Sequence, residues 1–127
     1  MLVEVQYVKE NYGARFVITD GGMNDLLRPA LYGAEHRVWP VAGAAGPASP
    51  AGVAGPICES SDFLARAAPL PPLAPGDLLA VLDAGAYGAT MSSTYNARPL
   101  APEVLVEGAT FRVVRRRQTW EEMAALE

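Results

Sequence analysis

Leu2-Val3-Glu4-Val5-Gln6-Tyr7-Val8-Lys9-Glu10-Asn11-Tyr12-Gly13-Ala14-Arg15-Phe16-Val17-Ile18-Thr19 is the stretch that decides the fold class. Val3, Val5 and Tyr7 alternate with other residues, Arg15 to Thr19 is a β-branched and aromatic run, and Asn11-Tyr12-Gly13 between them supplies turn chemistry, so the segment reads as a hairpin. Working outward, Asp20-Gly21-Gly22 breaks the second strand, and Asn24 or Asp25 is placed to cap a short helical turn that Pro29 sits inside or ends. Residues 36–41 read as another strand. Residues 42–55 offer mostly Ala, Gly, Pro and Ser, with little to pack, and read as a mobile loop. A short turn of helix is expected over 57–65 and a proline-rich connector over 67–75, with Pro75-Gly76-Asp77 turning into an apolar strand at 78–82. Residues 83–89 are glycine-rich. Residues 104–106 and 111–114 flank Glu107-Gly108-Ala109 as a second hairpin, and Thr119 with Glu122 forms a capping-box signature for a closing helix over 120–126. Short strands with turn signals every ten or so residues predict a mainly β domain, a Greek-key-like barrel or sandwich with short helices.

A chain of 127 residues, half of them hydrophobic, suits one globular domain spanning 1–127. Its net charge of -4 gives no broad basic footprint, which argues against a nucleic-acid or anionic-membrane partner. Arg115-Arg116-Arg117 is the one basic run, and on a strand these side chains alternate between faces rather than forming a patch. No segment approaches the roughly 18 apolar residues of a membrane span, and residues 1–9 lack a secretory pattern, so a soluble, unexported chain is expected. The single cysteine, Cys58, excludes an internal disulfide and fits a reducing, cytoplasmic compartment. His36, the single histidine, has no neighbouring histidine or cysteine to make a metal site and reads as a polar strand residue.

Four segments in order carry more. They are Phe16-Val17-Ile18-Thr19-Asp20-Gly21-Gly22-Met23-Asn24-Asp25-Leu26-Leu27-Arg28-Pro29-Ala30-Leu31-Tyr32; Gly55-Pro56-Ile57-Cys58-Glu59-Ser60-Ser61-Asp62; Gly76-Asp77 through Asp83-Ala84-Gly85-Ala86-Tyr87-Gly88; and Tyr95-Asn96-Ala97-Arg98-Pro99. Together with the closing Arg115-Arg116-Arg117-Gln118-Thr119, they resemble the carboxyl-terminal β domain of pyridoxal-phosphate-dependent diaminopimelate decarboxylases over nearly the whole chain. The resemblance implies a two-domain enzyme that converts meso-2,6-diaminopimelate to L-lysine and carbon dioxide. An α/β barrel there carries the cofactor lysine, and the β domain is the part seen in this sequence. Lys9, the sole lysine, sits in a strand-like context unlike the family's cofactor lysine. The α/β barrel and the family's amino-terminal strand are absent from the sequence, so the chain alone is expected to be inactive.

The resemblance also implies roles. Arg28 would pair with a substrate carboxylate, as the planar guanidinium fork fits it, with Tyr32 adding a hydroxyl. Cys58 would deliver a proton and Glu59 would bind the distal ammonium, both reaching into the partner's site across a homodimer interface. Tyr87 would hydrogen-bond the cofactor phosphate, with Gly85 and Gly88 allowing close approach. Taken alone, these residues are a solvated arginine, an inert buried thiol, a surface carboxylate and a tyrosine packed on a sheet. Asp62 reads as a local cap. The alternatives are a related ornithine- or arginine-type decarboxylase domain, against which Glu59 after Cys58 speaks, and a noncatalytic assembly module.

Overall fold

The computed structural model describes residues 1–43 and 45–125. It divides the chain into two compact units that meet in sequence at Ser92 and Ser93.

In the first unit the order is β1 (Leu2–Asn11), β2 (Ala14–Thr19), α1 (Arg28–Tyr32), β3 (Val38–Pro40), β4 (Ser49–Ala54), β5 (Phe63–Leu70), β6 (Leu78–Val81) and α2 (Gly88–Met91). The strands form one sheet in the order β3-β6-β1-β2-β4-β5, curled into a nearly closed barrel. All pairs are antiparallel except β2 with β4, which is parallel. The opening hairpin forms as expected. Asn11 pairs with Ala14 across a two-residue loop in which Tyr12 and Gly13 both take positive φ (49° and 75°), the geometry of a type I′ turn. The inward face of β1 supplies Val3 and Val5, which pack with Val17, Val53, Leu64, Leu70, Leu79 and Val81 into the barrel core. Leu26, fully buried, anchors the segment between β2 and α1 to that core.

The structure corrects four readings of this unit. The small-residue run at 42–55 contains β4, and Ala51, Gly52 and Val53 on it are buried. Gly52 is small because the strand passes between two rings: a Cβ there would lie 3.1 Å from Phe63 and 3.2 Å from Phe16. Residues 57–62 form bends and turns rather than a helix, and 63–65 already belong to β5. The proline-rich connector begins later than expected, since β5 runs to Leu70 with Ala68 and Leu70 buried and Pro69 opposite Pro50. The helical turn α1 starts at Arg28 behind Leu27, with no side-chain cap; Asp25 instead accepts a hydrogen bond from Gly22 N at 3.0 Å.

The second unit holds a short 3-10 turn (Tyr95–Ala97), the antiparallel hairpin β7 (Glu103–Glu107) and β8 (Thr110–Arg115), and α3 (Trp120–Ala124). Gly108 takes the positive φ that a type II′ turn needs at its first central position. The capping box is formed: Glu122 N donates to Thr119 Oγ1 at 3.3 Å and Thr119 N donates to Glu122 Oε2 at 2.9 Å. The end of the expected helix at Leu126 lies outside the described residues. Arg116 bonds Glu122 (Nη1 to Oε2, 2.8 Å), which gives one member of the arginine run a local partner. Among the described residues no helix is long and apolar enough to cross a membrane.

Candidate functional site

Two segments meet over Leu26. One is the five-residue α1, where Pro29 fixes the first turn and Gly33 closes the end in the left-handed region (φ 65°), its N–H donating to Pro29 O at 3.1 Å. The other is the glycine-rich turn after β6, where a Cβ on Gly88 would rest 3.8 Å from Leu26 Cδ1. Helical spacing puts Arg28 and Tyr32 on one face, and the guanidinium lies 5.8 Å from the Tyr32 ring centre. From the other side Tyr87 brings its ring centre within 5.2 Å of the same guanidinium. Tyr87 adopts φ 65°, a conformation that costs a non-glycine residue of order 1–3 kcal/mol and marks positions held for a purpose. The turn thus aims the ring at Arg28 and leaves 60% of the tyrosine exposed.

Arg28 forms no ion pair among the described residues, and both of its partners are aromatic faces. Cation–π attraction to two rings steadies the guanidinium without using its N–H donors, which a planar anion could take. Both tyrosines are more than half exposed. A guanidinium flanked by two tyrosines has the chemistry to hold a carboxylate or phosphate.

Cys58 and Glu59 stand on a second element, the 55–62 loop between β4 and β5. Both are exposed, so the thiol is not the buried apolar group that a lone cysteine suggests. Tight turns shape this loop, with Glu59 N donating to Ile57 O at 2.8 Å and Asp62 N to Glu59 O at 3.0 Å. Asp62 is not a simple cap. It is 3% exposed, and its carboxylate accepts hydrogen bonds from Met23 N (2.6 Å) and Ile57 N (2.7 Å), tying the loop to the turn after β2. The glycines around it are the sequence signal that reading residue by residue passed over: a Cβ on Gly22 or Gly55 would strike its oxygens at 2.5–2.8 Å.

His36 turns Nδ1 to Leu82 O at 2.9 Å, a structural contact beside β3. Lys9 lies on β1 with its ammonium 5.8 Å from the Phe16 ring centre. A groove of about 680 Å³ runs between β3 and β5, lined by His36, Arg37, Trp39, Phe63 and Arg66 among others, and it includes none of Arg28, Tyr32 or Tyr87. Among the described residues no cluster of three or more histidine, cysteine, aspartate or glutamate side chains could hold a metal ion.

The family model for the pyridoxal-dependent decarboxylase C-terminal sheet domain matches residues 1–85. The chain belongs to this family. As a C-terminal sheet domain it is similar to the diaminopimelate decarboxylase of Helicobacter pylori strain J99, 45% identical over 128 residues, covering all of this chain and 32% of the relative. It is also similar to the diaminopimelate decarboxylase of Streptomyces coelicolor, 49% identical over 131 residues, covering 94% of this chain and 29% of the relative. Among solved structures, the Helicobacter pylori diaminopimelate decarboxylase complexed with L-lysine superposes with a TM-score of 0.91 at 45% identity, over 98% of this chain and 30% of that one. The sheet domain described here therefore spans about a third of the length of the curated relatives it matches.

Proposed function

We propose that this chain is the sheet domain of a diaminopimelate decarboxylase, which removes carbon dioxide from meso-2,6-diaminopimelate to give L-lysine, with pyridoxal phosphate as cofactor and an α/β barrel as the partner domain. The observation that carries the proposal is Arg28, a guanidinium held between the rings of Tyr32 and Tyr87 and without an ion pair among the described residues. Diaminopimelate differs from lysine by a second carboxylate. Arg28 is the group to take it, through two parallel N–H···O bonds, with the Tyr32 hydroxyl adding a third contact.

Tyr87 fits the phosphate of the cofactor. Its phenol makes no hydrogen bond among the described residues, and a Cβ on the neighbouring Gly85 would meet nothing within 4 Å, so a ligand can approach the backbone there. Lys9, on β1, holds its ammonium over the Phe16 ring of β2, and carrying the cofactor falls to a lysine of the barrel. When bound, pyridoxal phosphate supplies the electron sink that allows the α-carboxylate to leave. The chain's own residues then divide the remaining work. Arg28 and Tyr32 hold the substrate's carboxylate, Glu59 binds the distal ammonium, and the Cys58 thiol delivers the proton that forms the new Cα–H bond. Cys58 and Glu59 act in the site of a second copy, which makes the working unit a homodimer; their exposure on the loop between β4 and β5 supports this arrangement. A single exposed thiol suits a reducing compartment, and we place the activity in the cytoplasm.

The test is Arg28→Ala in the chain assembled with its barrel. Loss of a charge-assisted carboxylate contact predicts a rise in KM for diaminopimelate of about 10- to 100-fold with a smaller change in kcat. An unchanged KM would remove Arg28 from the substrate site.

A further inference from the structure

We infer that Asp62 is a positioning residue for the substrate-binding groups on both sides of it. This rests on the decarboxylase reading for what those groups bind, but the geometry stands independently of it. The Asp62 carboxylate is 3% exposed and joins two stretches of backbone that belong to no strand or helix. One oxygen receives Met23 N at 2.6 Å, in the turn that leads to Leu26 and Arg28; the other receives Ile57 N at 2.7 Å, in the residue before Cys58 and Glu59. The two stretches are pressed together around it, since a Cβ on Gly55 would lie 2.4 Å from Gly22 Cα. Thr19 reinforces the junction by donating to Gly21 O at 2.9 Å and sharing its hydroxyl with Ala54 O at 3.2 Å.

A buried carboxylate that accepts two backbone N–H groups cannot be replaced by a neutral amide without turning one acceptor into a donor that faces an N–H. Asp62→Asn therefore releases at least one of the two stretches. The loop then no longer presents Glu59 in one place, and the turn before Arg28 loses its tether. Asp62 touches neither substrate nor cofactor in this scheme; it acts through Glu59 and Arg28.

Two measurements test this. The first is amide hydrogen exchange in the full chain. In the wild type, Met23 and Ile57 N–H should exchange slowly despite lying in turns, and in Asp62→Asn they should exchange about 10- to 100-fold faster while β1 and β6 amides keep their rates. Fast exchange of both amides in the wild type overturns the inference, whether or not the variant folds. The second is a double-mutant cycle in the assembled enzyme. Asp62→Asn should raise KM for diaminopimelate about tenfold, and should add less than that factor to the KM of Glu59→Gln, because the two changes share the loss of the Glu59 contact while the part carried by Arg28 remains. A residue that served stability alone would lower kcat in proportion to the folded fraction and leave KM unchanged, and that outcome, or full additivity, overturns it. If the wild-type assembly releases no carbon dioxide, the decarboxylase reading fails and the exchange result alone decides the role of Asp62.

Discussion

Arg28 and Tyr87 are coupled through a 5.2 Å stacking contact, so the phenol and the ring of Tyr87 have separable roles. Tyr87→Phe keeps the face that steadies the guanidinium and loses the hydroxyl proposed for the phosphate. It should weaken pyridoxal phosphate binding about tenfold, read by cofactor absorbance or fluorescence titration, with KM for diaminopimelate unchanged. Tyr87→Leu removes both and should raise both constants. If Tyr87→Phe left cofactor binding intact, the phosphate would have to be held elsewhere. At this scale the local placement of the candidate residues is legible in short contiguous motifs: Arg28 and Tyr32 share one turn of helix, and the glycines bracket Tyr87. The contact between them joins residues 59 positions apart in the sequence, and periodicity cannot see it. Asp62 was misread for the same reason. One of its partners is five residues away and the other 39, so a local cap was the nearest available account.

Among the elements, β4 shows how packing overrides composition. Ser49–Ala54 has poor strand propensity, yet it lies between β2 and β5, and its Gly52 is the space into which the Phe16 and Phe63 rings fit. Gly52→Val should destabilise the fold by about 1–3 kcal/mol through overpacking, measured as a lowered midpoint in urea with an unchanged slope. A neutral result would mean that the strand is not enclosed by the two rings. The hairpins were legible because each turn needs particular residues, Tyr12-Gly13 and Gly108, at positive φ. The capping box at Thr119 was legible from its spacing. The bond that adds to it was not, because Arg116 read as part of a charge run; its hydrogen bond to Glu122 is the main cause holding that carboxyl down at about 2, with the Thr119 N–H as the second. A folded-state value depressed below the ordinary glutamate range means that the ionised carboxylate favours α3. That contribution is present above the ordinary range and is lost as pH falls through about 2. Carboxyl NMR titration should find Glu122 half-protonated near that value, and Arg116→Gln should move it up toward an ordinary glutamate; no movement would separate the two side chains in solution.

For the whole molecule, the barrel leaves β3 and β5 as edge strands of an incompletely closed sheet, and exposed apolar side chains such as Leu2, Trp39, Phe111 and Val113 offer surface for other chains. These surfaces are where the proposed α/β barrel and second copy would pack. The most direct measurement is carbon dioxide release from meso-diaminopimelate in the presence of pyridoxal phosphate, with this chain alone and then mixed with a separately made α/β barrel from the same source. The account predicts release from the mixture and none from the chain alone. Release by the chain alone would contradict the assignment of the cofactor lysine to the barrel, and no release from a folded, associated mixture would contradict the decarboxylase itself.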